Sequence, residues 1–238
     1  MLAENNEDIL PWYCEELSRG LRQLCHEDPG ADSLITPRWE EVISLLARYI
    51  AEIERFNPIW SLVGTNDRRE LVIRHILDSL APLGIISRKI TAYHLPRIAD
   101  VGSGAGLPGI PLAVALPQVQ FTLIERMGRR AGFLRGALTA LGLSNTVIEE
   151  KEMEKTMPGR FSLVTFRAFR PLEPKNFKKL FRLCGEGGIL AAYKGRRSKT
   201  EAEMAALETA LPNMAGRWEL IPCPVPMLDE ERHILFIR

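Results

Sequence analysis

The feature that most constrains the fold is a glycine-rich stretch between two apolar segments. Residues 97–101 are mostly apolar and contain Asp100, and residues 102–109 read Gly-Ser-Gly-Ala-Gly-Leu-Pro-Gly. We expect a strand, a sharp turn and a helix here, because glycines at alternate positions let the backbone turn tightly and approach a ligand. The helix would direct its free N–H groups into the turn. Asp100 would lie at the carboxyl end of the strand, where open α/β sheets bind ligands.

Two classes of ligand fit this turn. Residues 104–109 match the Gly-x-Gly-x-x-Gly fingerprint of dinucleotide-binding proteins, whereas residues 100–106 match the Asp-x-Gly-x-Gly-x-Gly pattern of S-adenosylmethionine (SAM) methyltransferases. Pro108 and Pro111 remove backbone N–H donors that a pyrophosphate would need, whereas SAM has no phosphate. We therefore predict SAM as the cofactor, with a dinucleotide or a purely structural turn as alternatives. The predicted SAM-binding residues of this stretch are Asp100, Gly102, Gly104 and Gly106.

Strand-like and helix-like segments alternate from residue 97 onward. The chain has 238 residues, of which 46% are hydrophobic, and this is enough for a sizeable core. Strands are predicted at 97–101, 120–125, 146–149, 161–166 and 188–193, and helices at 108–116, 127–142 and 172–184. A capping box at 198–201 predicts a further helix, and two closing strands follow at 217–221 and 233–238. This pattern predicts an α/β fold with a doubly wound, mostly parallel sheet and an antiparallel last strand.

Helices are predicted to precede this region. Apolar residues recur at i, i+3 and i+4 spacing in residues 4–26 and 37–56, with a loop between the two segments. We expect Asn57-Pro58 to break the second helix. A capping box at 67–70 should start a third helix that runs through Leu80.

Cysteine and histidine positions argue against a metal site or a disulfide framework. The four cysteines contain no Cys-x-x-Cys pair, and the four histidines show no ligand spacing. No apolar run has membrane-spanning length, and the acidic N-terminus lacks the features of a signal peptide. We therefore expect a cytoplasmic protein without a metal or a membrane anchor, and we expect a monomer.

The formal net charge of +1 conceals a strong asymmetry along the chain. Residues 1–60 carry 12 acidic and 5 basic side chains, whereas residues 160–199 carry 11 basic and 2 acidic ones. Such asymmetry indicates a polyanion that meets one face of the molecule. A solvated surface of mixed charge is the alternative.

Charged residues follow the predicted strands at the expected ligand-binding edge. Glu125 ends the second strand, where a carboxylate can accept two hydrogen bonds from a ribose; a carboxylate favoured by the helix dipole is the alternative. Residues 151–154 follow the third strand, at the usual level of an adenine; a charged loop without a ligand is the alternative. Arg167 follows the fourth strand and Lys194 the fifth, where a guanidinium can hold a phosphate or a guanine edge.

More basic residues extend this patch, and such side chains around a cleft supply affinity for a nucleic-acid backbone. His75 and Asp78 lie three residues apart on one helix face and form either a structural pair or part of the cleft. The further basic residues are Arg126, Arg129, Arg130, Arg135, Arg170, Lys175, Lys178, Lys179, Arg182, Arg196 and Arg197.

The chain resembles the RsmG (GidB) family of 16S rRNA guanine-N7 methyltransferases over roughly residues 50–238. The Leu-Pro-Gly-Ile-Pro sequence at 107–111 is much more specific than a glycine motif alone. Where the family usually has Asn-Leu-Thr and Ser-Arg-Ala, this chain has Ser61-Leu62-Val63 and Phe166-Arg167-Ala168. The motifs that carry the resemblance are His75-x-x-Asp78-Ser79-Leu80, residues 100–113, Phe133-Leu134, Arg167-Ala168 and Lys194-Gly195.

The resemblance implies a class I SAM-dependent methyltransferase fold, with residues 1–90 as an N-terminal helical extension and 91–238 as the methyltransferase domain. It implies methyl transfer to N7 of a guanine in the 530 loop of 16S rRNA (position 527 in the usual numbering of that RNA). The partner would be the small ribosomal subunit or an assembly intermediate. The residues it places on or beside SAM are Gly102, Leu107, Met153, Glu154 and Arg167, with Lys194 nearby.

The chemistry of this reaction agrees with the residues available. Guanine N7 loses no proton on methylation, so no general base is required, and we expect Arg167 and Lys194 to orient the guanine or its phosphate. A SAM methyltransferase of proteins or small molecules would lack salt-dependent RNA binding. A non-catalytic RNA-binding protein would not need Asp100 and Glu125, and Pro108 argues against an NAD-linked oxidoreductase.

Overall fold

The computed structural model describes residues 6–168 and 171–238. The N-terminal helices are α1 (Asn6–Glu27), α2 (Pro29–Ile35), α3 (Trp39–Trp60), α4 (Arg68–Glu70), α5 (Asp78–Leu80) and α6 (Leu83–Ile90). The elements that follow are β1 (Arg97–Val101), α7 (Gly109–Ala115), β2 (Gln120–Glu125), α8 (Gly128–Leu141), β3 (Thr146–Glu150), β4 (Phe161–Arg167), α9 (Pro174–Phe181), β5 (Cys184–Lys194), α10 (Arg197–Ala210), β6 (Trp218–Pro222) and β7 (His233–Ile237).

The described strands form one seven-stranded sheet in the order β3-β2-β1-β4-β5-β7-β6. Strands β1 to β5 pair in parallel, β7 is antiparallel to β5, and β6 is antiparallel to β7. This confirms the predicted doubly wound α/β fold and its antiparallel closure. The strand order reverses between β1 and β4, and ligands bind at such a switch point in open α/β sheets.

The two faces of the sheet are covered by different helices. Ile98 packs into a core shared with the N-terminal helices, α7 and α8, whereas its neighbour Ala99 packs with α9 and α10. A parallel sheet needs both faces covered, and the N-terminal helices complete one of them. No helix in the two described ranges has both the length and the low polarity that crossing a membrane requires.

The N-terminal helices differ from the prediction in three places. Residues 29–35 form α2 rather than a loop, because the Asp28 carboxylate accepts a hydrogen bond from Gly30 N at 2.9 Å and caps the helix. Helix α3 continues past Pro58 and ends at Trp60, since a proline in the last turn removes only one hydrogen bond. Helix α6 was not predicted.

The two predicted capping boxes have different outcomes. Asp67 caps α4 by accepting Glu70 N at 2.8 Å, as predicted. The helix predicted from residues 198–201 is present as α10, but the capping box itself is wrong, because α10 begins at Arg197 without a side-chain cap from the preceding residue. Glu231 Oε2 accepts Arg197 N at 2.8 Å instead, so a distant loop caps this helix.

The helix predicted from the first capping box does run through Leu80, but with a change of geometry. Between α4 and α5, residues Leu71–Leu77 form a π-helix. Such segments are rare and are frequent at functional sites. His75 lies within this segment and Asp78 follows it directly.

Gly109→Ala should destabilise the fold. A Cβ at Gly109 would lie 2.4 Å from Leu123 Cδ2 and 2.8 Å from Asp100 Oδ2, so buried groups would have to move. We expect the free energy of unfolding to fall by about 1–3 kcal/mol, as measured by urea denaturation.

Gly132→Ala is the matched control. It lies in α8, its added Cβ would meet nothing within 4 Å, and alanine should stabilise the helix by about 0.5–1 kcal/mol. Equal stability of the two variants would contradict the prediction.

Candidate functional site

The glycine turn connects the carboxyl end of β1 with α7. Gly102, Gly104 and Gly106 have φ angles of 69°, 60° and 94°, a left-handed region that is costly for residues with a side chain. The N–H groups of Gly102 and Ser103 donate to Ile124 O in β2 at 2.9 and 3.2 Å. The turn is therefore held against the neighbouring strand.

The buried carboxylate of Asp100 closes this turn. Its Oδ2 accepts hydrogen bonds from Ser103 Oγ at 2.7 Å and Gly109 N at 3.1 Å. Within the described residues, Oδ1 has no hydrogen-bond partner. Burial raises the pKa of Asp100 to about 6, although the bonds from Ser103 and Gly109 lower it. Asp100 thus fixes the turn and keeps one acceptor unused.

Glu125 lies beside the turn, as predicted. Its Oε2 accepts Gly104 N and its Oε1 accepts Met127 N, both at 2.9 Å. The side chain is only 4% exposed, so these bonds fix its orientation. Each carboxylate oxygen retains a second lone pair, and a pair of hydroxyl groups would find two oriented acceptors here.

A cleft of about 460 Å³ opens over the turn. We call it the glycine-turn cleft. Asp100, Gly104, Gly106 and Leu107 are buried and are absent from its lining, so they support the turn from below. The lining consists of Val101, Gly102, Ile124, Glu125, Arg126, Met127, Arg130, Lys151, Glu152, Met153, Glu154 and Ala168.

Two basic side chains hold the loop that carries Met153 and Glu154. Lys179 lies in α9, and Arg182 follows this helix directly. Lys179 Nζ lies 2.5 Å from Glu154 Oε1, and this hydrogen bond lowers the pKa of the carboxyl. Arg182 Nη2 donates to the carbonyls of Met153, Glu154 and Thr156 at 3.0, 2.5 and 2.8 Å. These cations, predicted to face a nucleic acid, hold one wall of the glycine-turn cleft instead.

A second cavity, of about 510 Å³, lies at the ends of β4 and β5. We call it the arginine cavity. Four cations and one carboxylate line it, which gives a net charge of +3. Across the described chain, no group of His, Cys, Asp and Glu is arranged to hold a metal. The cavity is lined by Arg74, His75, Asp78, Ala81, Pro82, Arg167, Ala168, Tyr193, Lys194, Gly195, Cys223, Arg232 and His233.

Asp78 joins two guanidinium groups of this cavity. Its Oδ2 accepts from Arg167 Nη1 at 3.0 Å, and its Oδ1 lies 3.2 Å from Arg232 Nε. Arg167 Nη1 also donates to the carbonyl of Arg74 at 3.1 Å. Because the Asp78 carboxylate is only 9% exposed, the pairs are shielded from water, and removing one partner would leave a buried charge. His75 and Asp78 both line the arginine cavity, and Asp78 also ties α5 to β4 through Arg167.

His75 is a neutral imidazole inside the arginine cavity. Its Nδ1 lies 3.3 Å from Arg167 Nη2, and a guanidinium can only donate, so we assign the proton to Nε2. Among the residues described, Nε2 has no hydrogen-bond partner. Burial, followed by the charges of Arg167 and Arg74, lowers the pKa of His75 to about 4. His75 therefore adds no positive charge to the lining near neutral pH.

The two cavities meet at Ala168, which lines both. Its φ of 49° is left-handed, which is uncommon for a residue with a side chain. The small side chain leaves space where β4 ends. Two molecules, one in each cavity, would approach each other at this residue.

Lys194 ends β5 on the wall of the arginine cavity. Its Nζ lies 2.5 Å from Glu203 Oε2 in α10, and its side chain is 17% exposed. Glu203 Oε1 also accepts Leu172 N at 2.7 Å. The predicted pair of Arg167 and Lys194 is therefore brought to one cavity, with each cation held by a carboxylate.

The predicted basic patch divides into paired and unpaired side chains. Besides Lys179 and Lys194, Arg135 pairs with Glu150 and Arg197 with Glu201. Arg170 lies outside the described residues. Arg182 bonds only to backbone carbonyls. The other predicted cations that form no salt bridge within the described part of the chain are Arg126, Arg129, Arg130, Lys175, Lys178 and Arg196.

The sequence analysis missed several residues of the arginine cavity, among them Arg74, Tyr193 and Arg232. Arg74 and Tyr193 are the immediate neighbours of His75 and Lys194, so adjacency was an available signal. Arg232 lies before β7 in an irregular segment. Nothing in its local sequence indicates the contact with Asp78, which only the antiparallel return of β7 creates.

The sheet order, the helices on both faces and the cavities at the carboxyl edge define a class I methyltransferase fold. The structure is similar to that of a putative O-methyltransferase from Klebsiella pneumoniae, with a TM-score of 0.54, 14% identity and coverage of 81% of this chain and 89% of that one. At this level of identity the similarity concerns the fold.

The chain belongs to the rRNA small subunit methyltransferase G family, whose family model matches residues 42–216. It is 36% identical to the Ribosomal RNA small subunit methyltransferase G of Cellvibrio japonicus, over 86% of this chain and 89% of the relative. It is 35% identical to the protein of the same name from Laribacter hongkongensis, over 93% and 96%. These matches confirm the resemblance carried by the sequence motifs.

His75→Gln should change the pH dependence of stability. The pKa of His75 is lowered from 6.5 to about 4 in the folded protein. Its contribution to stability is therefore complete above pH 6.5 and is lost as the pH falls toward 4. Glutamine does not titrate, so we expect the Tm of the unsubstituted protein to fall more steeply in this window. The raised pKa of Asp100 changes stability in the opposite direction, but Asp100 is present in both proteins, so its effect cancels in the comparison. Parallel Tm profiles of the two proteins would show that the pKa of His75 is not lowered.

Proposed function

We propose that this protein transfers a methyl group from SAM to a guanine of 16S rRNA, at N7 within the 530 loop. The observation that carries the proposal is the meeting of two unlike cavities at Ala168. One is built on a glycine turn with oriented carboxylates, and the other is strongly positive. Family membership supports rRNA of the small subunit as substrate, and the sequence resemblance supports the base and the atom.

The glycine-turn cleft fits SAM. Its volume of about 460 Å³ lies in the range of small-molecule sites. Glu125 would accept the ribose hydroxyls, and the loop at Met153–Glu154 would hold the adenine. Asp100, with Oδ1 unpartnered among the described residues, would favour the cationic end of the ligand while it holds Gly102, Gly104, Gly106 and Leu107 in place.

The arginine cavity fits a guanine nucleotide. Guanidinium groups can donate to the guanine O6 and to phosphate oxygens, and Arg167 and Arg232 are held side by side by Asp78. His75 would add a neutral donor at Nε2. We propose that Arg167 and Lys194 orient the guanine or its phosphate, and that Arg167 also reaches the edge of SAM.

The reaction needs positioning more than proton transfer. When bound, SAM would supply an electrophilic methyl group on its sulfonium sulfur. The bond from N7 to this carbon would form as the carbon–sulfur bond breaks, with S-adenosylhomocysteine as the leaving group and no loss of a proton from N7. The residues around Ala168 would hold N7 in line with the methyl group, and such orientation can supply a large part of the rate. The cations of the arginine cavity would meanwhile hold the phosphate. We assign no general base, because N7 loses no proton.

We propose that residues 1–90 act as a helical extension that supports the methyltransferase domain at residues 91–238. Tyr49 in α3 is fully buried and donates to the carbonyl of Ala105 in the glycine turn at 2.5 Å. Tyr193 in β5 donates to the carbonyl of Ser79 at 2.7 Å. The helical extension therefore contacts the glycine turn under one cavity and strand β5 beside the other.

Methyl transfer from labelled SAM to small ribosomal subunits that lack this modification tests the function. We expect one 7-methylguanosine in the 530 loop, located by mapping the modified nucleotide. Transfer to another nucleotide would overturn the assigned position. No transfer despite measured SAM binding would instead favour a protein or small-molecule substrate.

Ala168→Leu should block the junction of the two cavities. The larger side chain would occupy space between the bound molecules, so we expect kcat to fall at least about tenfold, which corresponds to about 1.4 kcal/mol. Ala168→Gly, which accepts the left-handed φ more easily, should retain activity. SAM binding and Tm are the controls, and unchanged kcat in Ala168→Leu would contradict the junction.

A further inference from the structure

The arginine cavity continues into a third depression of about 730 Å³, between the turn after β5 and the loop before β7. We call it the polar groove. We infer that this groove binds the backbone phosphate of the nucleotide next to the methylated guanine, through Arg196 and Lys199. This inference rests on the proposed function, because it requires RNA in the arginine cavity. The groove is lined by Lys194, Gly195, Arg196, Lys199, Thr200, Glu203, Asp229, Glu230, Glu231 and Arg232.

The groove is continuous with the arginine cavity. Lys194, Gly195 and Arg232 line both, so a chain that leaves one enters the other. A base that enters a pocket for chemistry must leave its stack, and its flanking backbone must then run along the protein surface. The groove is a path that starts at the mouth of the arginine cavity.

Three of the four carboxylates that line the groove form internal bonds, and the fourth, Asp229, is exposed and forms no salt bridge with any described residue. Glu203 holds Lys194 and accepts Leu172 N. Glu230 lies 2.6 Å from Arg74 and 3.0 Å from Arg232. Repulsion of a phosphate by these two carboxylates is therefore reduced by their own partners.

Glu231 is also engaged, since it accepts Arg197 N at 2.8 Å. The same wall is held by His233, whose Nδ1 lies 2.7 Å from Gly195 O. These contacts fix the turn after β5 against the loop before β7. The groove is therefore a preformed feature, and binding would not require its walls to be ordered first.

Arg196 and Lys199 are the cations left over. Both are exposed, and neither forms a salt bridge with any residue in the described ranges. Arg196 directly precedes α10 and Lys199 lies in its first turn, and both line the polar groove. Two exposed cations beside a positive cavity have the chemistry that binds a phosphate of single-stranded RNA.

The test is the double variant Arg196→Gln/Lys199→Gln, assayed with small ribosomal subunits. We expect KM for subunits to rise about tenfold and kcat to stay within about twofold, because a phosphate contact contributes to binding rather than to chemistry. The slope of log K against log salt should become shallower by about 0.7 for each phosphate that the variant no longer binds.

Two matched variants separate this contact from general charge loss. Arg196→Lys/Lys199→Arg keeps both charges and should retain KM. Arg217→Gln/Arg238→Gln removes two exposed cations that flank the pair of Trp218 and Ile237, at the other end of β7 from the groove, and should also retain KM. If this distant pair raises KM as much as the groove pair, the site is wrong.

Binding of small ligands keeps the test independent of catalysis. The unsubstituted protein should bind a ribotrinucleotide with a central guanine more tightly than guanosine monophosphate, and the double variant should lose this difference while its affinity for the monophosphate is unchanged. Loss of monophosphate binding would place Arg196 and Lys199 in the arginine cavity and overturn the inference. Absence of methyl transfer by the unsubstituted protein would overturn the proposed function. The trinucleotide comparison would still show whether the polar groove binds a phosphate of the flanking nucleotide.

Discussion

The buried carboxylate of Asp100 is the interaction on which the ligand-binding edge depends. One of its oxygens joins the two ends of the glycine turn, through Ser103 and Gly109. Burial raises its pKa to about 6, so the hydrogen bonds offset part of the cost of an ionised group without water. The approach of Gly109 to this carboxylate leaves no space for a Cβ, and the start of α7 is fixed as a result.

A second carboxylate, Asp78, organises the neighbouring cavity in a different way. Asp100 accepts from neutral donors, whereas Asp78 lies between the guanidinium groups of Arg167 and Arg232. Asp78 neutralises part of their positive charge, which reduces the repulsion between them, and the cavity keeps an excess of positive charge. The glycine-turn cleft is lined by three carboxylates and three cations, whereas the arginine cavity is lined by four cations and one carboxylate, so the two differ in net charge.

Local sequence predicted the parallel strands and the glycine turn well, because period-two and glycine patterns act over a few residues. It also placed Glu125, Arg167 and Lys194 at one sheet edge, since the carboxyl ends of parallel strands share that edge. It failed for α2, a short helix where a loop was predicted. It also failed for the cap of α10, which Glu231 provides from a distant loop. It overestimated the free cations, because Lys179 and Arg182 bind a neighbouring loop.

The sequence by itself determined the fold class, the family and the position of the glycine turn, because each is encoded in contiguous residues. Only the tertiary structure decided which charges remain available. Ion pairs such as Asp78 with Arg232 join residues far apart in the chain, and the antiparallel return of β7 brings them together. Whether a cation meets a ligand or a carboxylate depends on its neighbours in space, and a linear pattern does not specify these.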